Sequence, residues 1–215
     1  MRLILADDHA VMRQGLRAQL EAKGLAEVVG EAENGDEAVA LTRSHRPDVV
    51  IMDITMPHLN GIDAIRQIHS LDPTIHLMVL SMHDEHSIVT EALKAGCHAY
   101  VLKTGEFEEI IMALEAMTQG ERYLSPKITH VVIDEFLHPT SAYPTGGFKT
   151  LTPRERQILQ HTAEGLSVKE IAHTLHVSPK TVDATRRNVM QKTEEHSIAG
   201  LTKLAIREGL TSVEF

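Results

Sequence analysis

Three aspartates, a serine and a lysine are the residues of this 215-residue chain whose types and positions could do chemistry together. Asp7 and Asp8 follow the apolar run Leu3-Ile4-Leu5-Ala6, and Asp53 follows Val49-Val50-Ile51-Met52. Ser81 follows Leu77-Met78-Val79-Leu80, and Lys103 follows Ala99-Tyr100-Val101-Leu102. If those runs are neighbouring strands, the polar residues gather on one rim. Three close carboxylates repel and raise one another's pKa unless a cation neutralises them. Hard oxygen ligands with water completing the shell suit Mg²⁺. A nucleophilic carboxylate, a divalent ion, a hydroxyl and an ammonium match the charge on a transferring phosphoryl group. Singly, each has a plainer account: an Asp after a strand often caps a helix, a lysine there is ordinarily solvated, and Ser81 suits a loop cap. The argument rests on the combination.

The elements that must position them are legible. A further run, Val28-Val29-Gly30-Glu31-Ala32, makes five, each short and rich in Val, Ile and Leu, as in strands buried on both faces. Helix-compatible stretches lie between and after them, at about 10–23, 35–45, 61–70, 86–95 and 106–118. Such alternation implies a doubly wound, five-stranded parallel sheet with right-handed crossovers. Sites in such sheets form at the carboxyl ends of the strands.

Asp7-Asp8, Asp53-Ile54-Thr55-Met56-Pro57 with Gly61, Ser81, and Tyr100-Val101-Leu102-Lys103 together resemble the signature of a two-component receiver domain, flavodoxin-like in fold. The resemblance covers about residues 1–120, and the domain it implies is expected to span 1–121. It implies that Asp53 accepts a phosphoryl group from a sensor histidine kinase. It implies Mg²⁺ held by Asp8, Asp53 and the Thr55 backbone carbonyl, with Asp7 acting through water and Lys103 bridging to phosphoryl oxygens. Ser81 and Tyr100 resemble the family's switch pair, which repacks the face of the fourth helix, fifth strand and fifth helix. A receiver promotes its own phosphoryl transfer and dephosphorylation and is not an enzyme with turnover. Many receivers carry Pro after the lysine; this chain has Thr104, so no cis peptide is expected there. His83 and Thr55 flank the acidic site and are candidates to set the lifetime of phospho-Asp53.

Residues 122–148 read as a linker with a short helix from Ser125-Pro126 to about Leu137, then a stretch of Pro, Gly, Ser and Thr from His138 to Gly147. The remainder, 149–215, reads as four helices. Thr152-Pro153-Arg154-Glu155 and Ser167-Val168-Lys169-Glu170 are capping boxes, Ser178-Pro179 opens a third helix to about 192, and Ser197 opens a fourth ending near Gly209. The second and third, joined by a tight turn, outline a helix-turn-helix. On the third, Val182, Thr185, Val189 and Thr193 form an inner stripe, while Lys180, Asp183, Ala184, Arg187 and Gln191 face outward. Arg187 suits guanine or a phosphate, and Asp183 suits cytosine N4. Lys169, Lys180, Arg186 and Lys192 suit backbone phosphates. Thr181, Ala184 and Thr185 complete the candidate DNA face.

Leu151-Thr152-Pro153-Arg154-Glu155-Arg156, Ala163-Glu164-Gly165-Leu166-Ser167, Lys169-Glu170-Ile171-Ala172 and Ser178-Pro179-Lys180-Thr181-Val182 resemble the helix-turn-helix domain of NarL/LuxR-type regulators. The whole chain is thus similar to a NarL/FixJ-type response regulator: a transcription regulator that binds double-stranded DNA, usually as a homodimer through the fourth helix, with RNA polymerase a further partner. The family commonly has Lys-Leu-Gly-Val where this chain has Lys192-Thr193-Glu194-Glu195, and often His where it has Thr185. These departures bear on the end of the recognition helix and on dimerisation, since Ile198, Leu201, Leu204 and Ala205 suit either a dimer seam or the domain core.

Charge is uneven: −10 over residues 1–125, −1 over 126–148 and +2 over 149–215. An acidic front and a mildly basic rear fit two domains with different partners. The N-terminus turns acidic after four apolar residues, unlike a signal peptide, and no apolar run reaches the roughly 18 residues of a membrane span. The single cysteine, Cys97, fits a cytoplasmic protein. Among fourteen histidines, His83/His86 and His173/His176 are three apart, but no Cys/His spacing matches a zinc site. Two other classes remain open: a regulator whose rear domain binds protein instead of DNA, and a metal-dependent phosphohydrolase.

Overall fold

The computed structural model describes residues 1–137 and 148–211, and the chain forms two compact units. The first holds a parallel sheet built from β1 (Arg2–Ala6), β2 (Glu27–Ala32), β3 (Val49–Met52), β4 (His76–Ser81), β5 (Ala99–Leu102) and β6 (Tyr123–Leu124), in the order β2-β1-β3-β4-β5-β6. Its helices are α1 (Ala10–Ala22), α2 (Gly35–His45), α3 (Gly61–Leu71), α4 (His86–Ala95), α5 (Phe107–Thr118) and α6 (Pro126–Leu137). The sheet is apolar on both faces because side chains alternate and both sides are covered. Leu3, Leu5, Val49, Ile51, Met78, Leu80, Ala99 and Val101 pack with α1 and α5. Ile4, Ala6, Val50, Met52, Leu77, Val79, Tyr100 and Leu102 pack with α2, α3, α4 and α6.

The five expected strands are present, and a sixth joins them. β6 pairs with β5, setting Ala99 opposite Tyr123 and Tyr100 opposite Leu124. Two residues carry no periodicity from which a strand can be read. As a result β6 and α6, expected as linker, belong to the first compact unit, and the boundary expected after residue 121 is not its edge. The expected Pro/Gly-rich stretch from 138 to 147 lies outside the described residues. No cis peptide bond occurs among the described residues.

The second unit holds α7 (Pro153–Ala163), α8 (Val168–Thr174), α9 (Pro179–Thr193) and α10 (Ile198–Arg207). Both expected capping boxes form, with Thr152 and Glu155 satisfying each other's backbone N–H, and Ser167 and Glu170 likewise. Ser178 caps α9 and Ser197 caps α10. One apolar cluster joins α7, α9 and α10 through Leu159, Val189, Leu201, Leu204 and Ala205; a second joins α7, α8 and α9 through Ile158, Ile171, Ala172 and Val182. Of the α10 positions with two possible uses, Leu201, Leu204 and Ala205 serve the domain core, and Ile198 is exposed. Among the described residues, no helix is long and apolar enough to cross a membrane.

The atypical end of α9 closes in an ordinary way. The Thr193 hydroxyl donates to the Val189 carbonyl, and the Glu194 and Glu195 N–H groups both donate to the Met190 carbonyl. Glu194 takes the left-handed conformation at φ 57°, where glycine is usual, and places its charge at the negative end of the helix. Glu194→Gly should therefore stabilise this unit by about 1 kcal/mol, the ordinary cost of a side chain in that conformation. In urea unfolding of the full chain, the transition of the second unit should move to higher denaturant with its slope unchanged.

Candidate phosphoacceptor site and helix-turn-helix face

The sheet brings the polar set together. Ala6 pairs with Met52 across β1 and β3, so Asp7 and Asp53 leave adjacent strands side by side. The Asp53 N–H donates to the Ala6 carbonyl at 2.8 Å, and the Lys103 N–H donates to the Ser81 carbonyl at 2.8 Å. The Lys103 Nζ lies 2.7 Å from Asp7 Oδ2 and 2.7 Å from Asp53 Oδ2, with all three side chains nearly buried. Asp53 Oδ1 accepts the Ile54 N–H at 2.7 Å. Burial pushes the Asp53 carboxyl up, Lys103 pulls it back, and the balance stands at about 6. Burial pulls the Lys103 ammonium down, but Asp53 and Asp7 outweigh it and the net direction is upward.

Asp7, Asp8, His9 and Asp53 each place a ligand atom within 4.8 Å of the others. Asp8 is the more open of the acidic pair, its side chain 34% exposed. His9 was not among the expected site residues. Its ring Nδ1 lies 2.8 Å from Asp8 Oδ1 and 3.1 Å from Asp7 Oδ1. Burial lowers its pKa, but the two aspartates raise it more. The sequence signal was adjacency to the acidic pair at the point where the strand gives way to α1.

On the far side of the site, Ser81 is fully buried and its Oγ accepts the His83 N–H at 3.2 Å. Tyr100 is also fully buried, and its hydroxyl donates to the His83 carbonyl at 2.8 Å. Burial holds the phenol far above its ordinary pKa. The expected switch pair therefore meets at one residue of the β4–α4 loop. Thr55 Oγ1 and His83 Nε2 are 2.9 Å apart, and His83 Nδ1 is 3.1 Å from Glu85.

In the second unit, Lys169 on α8 and Lys180, Thr181, Ala184 and Arg187 on α9 are exposed. Asn188, also exposed, extends this face one turn beyond Ala184 and was not among the expected contacts. Two of the expected cations are engaged inside the unit. Arg186 pairs with Asp183 at 3.0 Å, and the Lys192 Nζ pairs with Glu155 at 2.7 Å while donating to the Thr150 carbonyl at 3.3 Å. Thr185 is half-buried, its hydroxyl donating to the Thr181 carbonyl.

Comparison with known proteins agrees with this arrangement at both ends of the chain. Residues 3–115 match the family described as response regulator receiver domain, and residues 149–205 match the bacterial regulatory proteins of the luxR family. The response regulator UvrY of Escherichia coli strain K12 is 34% identical, over 100% of this chain and 97% of its own. The oxygen regulatory protein NreC of Staphylococcus carnosus is 36% identical, over 98% of this chain and 99% of its own. The chain is a two-component response regulator of the NarL/FixJ type. The regulator also resembles the structure of RcsB from Salmonella enterica serovar Typhimurium bound to promoter rprA in the presence of a phosphomimetic. That likeness has a TM-score of 0.63 and 27% identity, covering 94% of this chain and 96% of that one.

The regulator's acidic site fits a divalent cation by its donor set: three carboxylates converge, and the buried ammonium that faces them supplies a single positive charge. Burial of the Asp53 carboxylate, with Asp7 beside it, costs stability in the cation-free protein. A carboxyl whose folded pKa is raised weakens the fold above that pKa, and the loss recedes as pH falls through it. Asp53→Asn should thus raise the melting temperature at pH 7 in chelator. The gain should shrink as pH falls from about 6 toward the ordinary carboxyl value of 3.8.

Proposed function

We propose that the regulator is switched by phosphorylation of Asp53 and that its output is binding of double-stranded DNA. The carrying observation is the Lys103 ammonium 2.7 Å from both Asp7 and Asp53, which sets a fixed positive charge beside the acceptor oxygen. An Asp53 carboxylate oxygen attacks the phosphorus of a phosphohistidine on a sensor kinase. The N–P bond breaks as the O–P bond forms, and the imidazole leaves and takes up a proton. Lys103 pairs with the phosphoryl oxygens. Asp7, Asp8, Asp53 and the Thr55 carbonyl would hold Mg²⁺, which supplies charge neutralisation for the transfer.

The added charge draws the Ser81 hydroxyl toward the phosphoryl group and resets the β4–α4 loop, to which both Ser81 and Tyr100 bond at His83. Homodimerisation then brings two recognition helices α9 to successive half-sites, the ordinary geometry of this motif. Lys169, Lys180 and Arg187, which carry no ion pair with a described residue, supply phosphate or base contacts. Asp183, Ala184, Thr181 and Thr185 line the same face. Lys192 and Arg186 first give up partners of their own. RNA polymerase is a further partner, and the cytoplasm is the compartment. The phosphomimetic-bound RcsB–promoter complex is a precedent for this output in a similar protein.

Fluorescence anisotropy on genomic DNA fragments tests the reading. Binding should tighten with Mg²⁺ and beryllofluoride, weaken steeply with salt, and lose its response in Asp53→Ala. Absence of binding in both states would favour a protein-binding output, for which the Thr193-Glu194-Glu195 departure from the family pattern is the motive. Thr55 is two residues from Asp53 and His83 two from Ser81, and their side chains meet at 2.9 Å beside the acidic site, within reach of an attacking water. Replacing both by Ala should change the dephosphorylation rate by about tenfold, a modest share of what a water-positioning group contributes. An unchanged rate in a phosphate-release assay would remove these two residues from lifetime control.

A further inference from the structure

The segment after α5 is fastened to β5, which carries Tyr100, and to α5 and α4 on either side of it. β6 lies along the outer edge of β5, with Leu124 opposite Tyr100. Ser125, 2% exposed, continues the ladder past the end of that strand. Its N–H donates to the Tyr100 carbonyl at 2.9 Å, and its Oγ accepts the Leu102 N–H at 3.3 Å. The same hydroxyl donates to the Glu109 carboxylate on α5. Three residues on, Ile128 of α6 is fully buried in the apolar cluster that contains Tyr100, Ile88 and Val89 of α4, and Leu124.

One stretch of chain therefore bonds to β5 on both sides of Val101, grips α5 through Glu109, and packs on the apolar side of α4. Leu102, whose N–H it receives, directly precedes Lys103. Any repacking of Tyr100 shifts a carbonyl or a side-chain surface that this stretch is bonded to. The alternative place for a signal to emerge, a bare β5 edge, does not exist here because β6 covers it.

We infer that residues 123–137 are the output strap of the receiver, with Ser125 the positioning residue that couples them to the Tyr100–Lys103 strand. The strap leads directly into residue 138 and from there to the second unit, so it is the segment through which a changed β5 reaches the rest of the chain. This rests on the reading of Asp53 as phosphoacceptor and extends it by naming where the signal leaves.

Hydrogen exchange measured by mass spectrometry on the full chain, with and without Mg²⁺ and beryllofluoride, tests it. In the wild type, peptides over 81–90 and over 123–133 should both change their exchange rate by about fivefold, the lower end of ordinary coupling between sites. Ser125→Ala should keep the change at 81–90 and lose most of it at 123–133. Glu109→Gln, which leaves the hydroxyl an acceptor, should keep both. A response at 81–90 with none at 123–133 in the wild type would overturn the strap and leave the phosphoacceptor reading intact; that comparison decides even if Ser125→Ala does not fold. A full strap response in folded Ser125→Ala would remove Ser125 from the coupling. No response anywhere, with no bound beryllofluoride seen by fluorine NMR, would overturn the phosphoacceptor reading and the strap with it.

Discussion

One buried ammonium holds the receiver's chemistry in place. Lys103 Nζ sits between two nearly buried carboxylates at 2.7 Å from each. Isolated buried carboxylates are expensive, and a paired cation offsets much of that cost. The pairing requires β1, β3 and β5 to end at one level, which the continuous parallel register across β1, β3, β4 and β5 secures. Strands apolar on both faces do not fix that register by themselves, because slipping one residue would still bury each chain; only the matched register aligns the polar ends. The site thus constrains what the core alone leaves open.

The rear unit uses its charges differently. Much of its modest positive charge is spent internally, in Lys192 with Glu155 and Arg186 with Asp183. Glu155 meanwhile serves the cap of α7, so Lys192 ties the end of α9 to the start of α7. A net charge near zero here does not describe the exposed face of α8 and α9. There Lys169, Lys180 and Arg187 stand without acidic partners at ion-pair distance among the described residues.

Most of the site was readable because each polar residue directly follows a buried apolar run, and such runs are the strongest signal a parallel sheet leaves. Helix starts were readable because Thr152, Ser167, Ser178 and Ser197 are side-chain caps with a fixed offset to the N–H they satisfy. What escaped depends on contacts between distant residues. Tyr123-Leu124 is too short to declare itself a strand, and it becomes one only against β5. Ser125 reads as a helix cap, yet its hydroxyl serves Leu102 and Glu109. Lys192 reads as a free cation, and only the fold sets Glu155 beside it. The engagement of His9 with both aspartates likewise appears only once the β1–α1 turn is built.

The loop that follows Asp53 is clasped by two glycines. A Cβ on Gly61 would stand 1.8 Å from the Asp53 carbonyl oxygen, and one on Gly35 would stand 2.4 Å from that of Leu59. Backbone therefore lies directly against backbone on that side, and the Gly61 N–H donates to Ile54 at 2.8 Å. Mechanically, this makes the loop after Asp53 an anvil. Under the proposed phosphorylation of Asp53, the added charge would meet backbone packed on backbone behind it and, opposite, side chains held by hydrogen bonds, those of Ser81 and Tyr100 to His83. Any displacement at Asp53 is thereby steered by where the fold cannot yield.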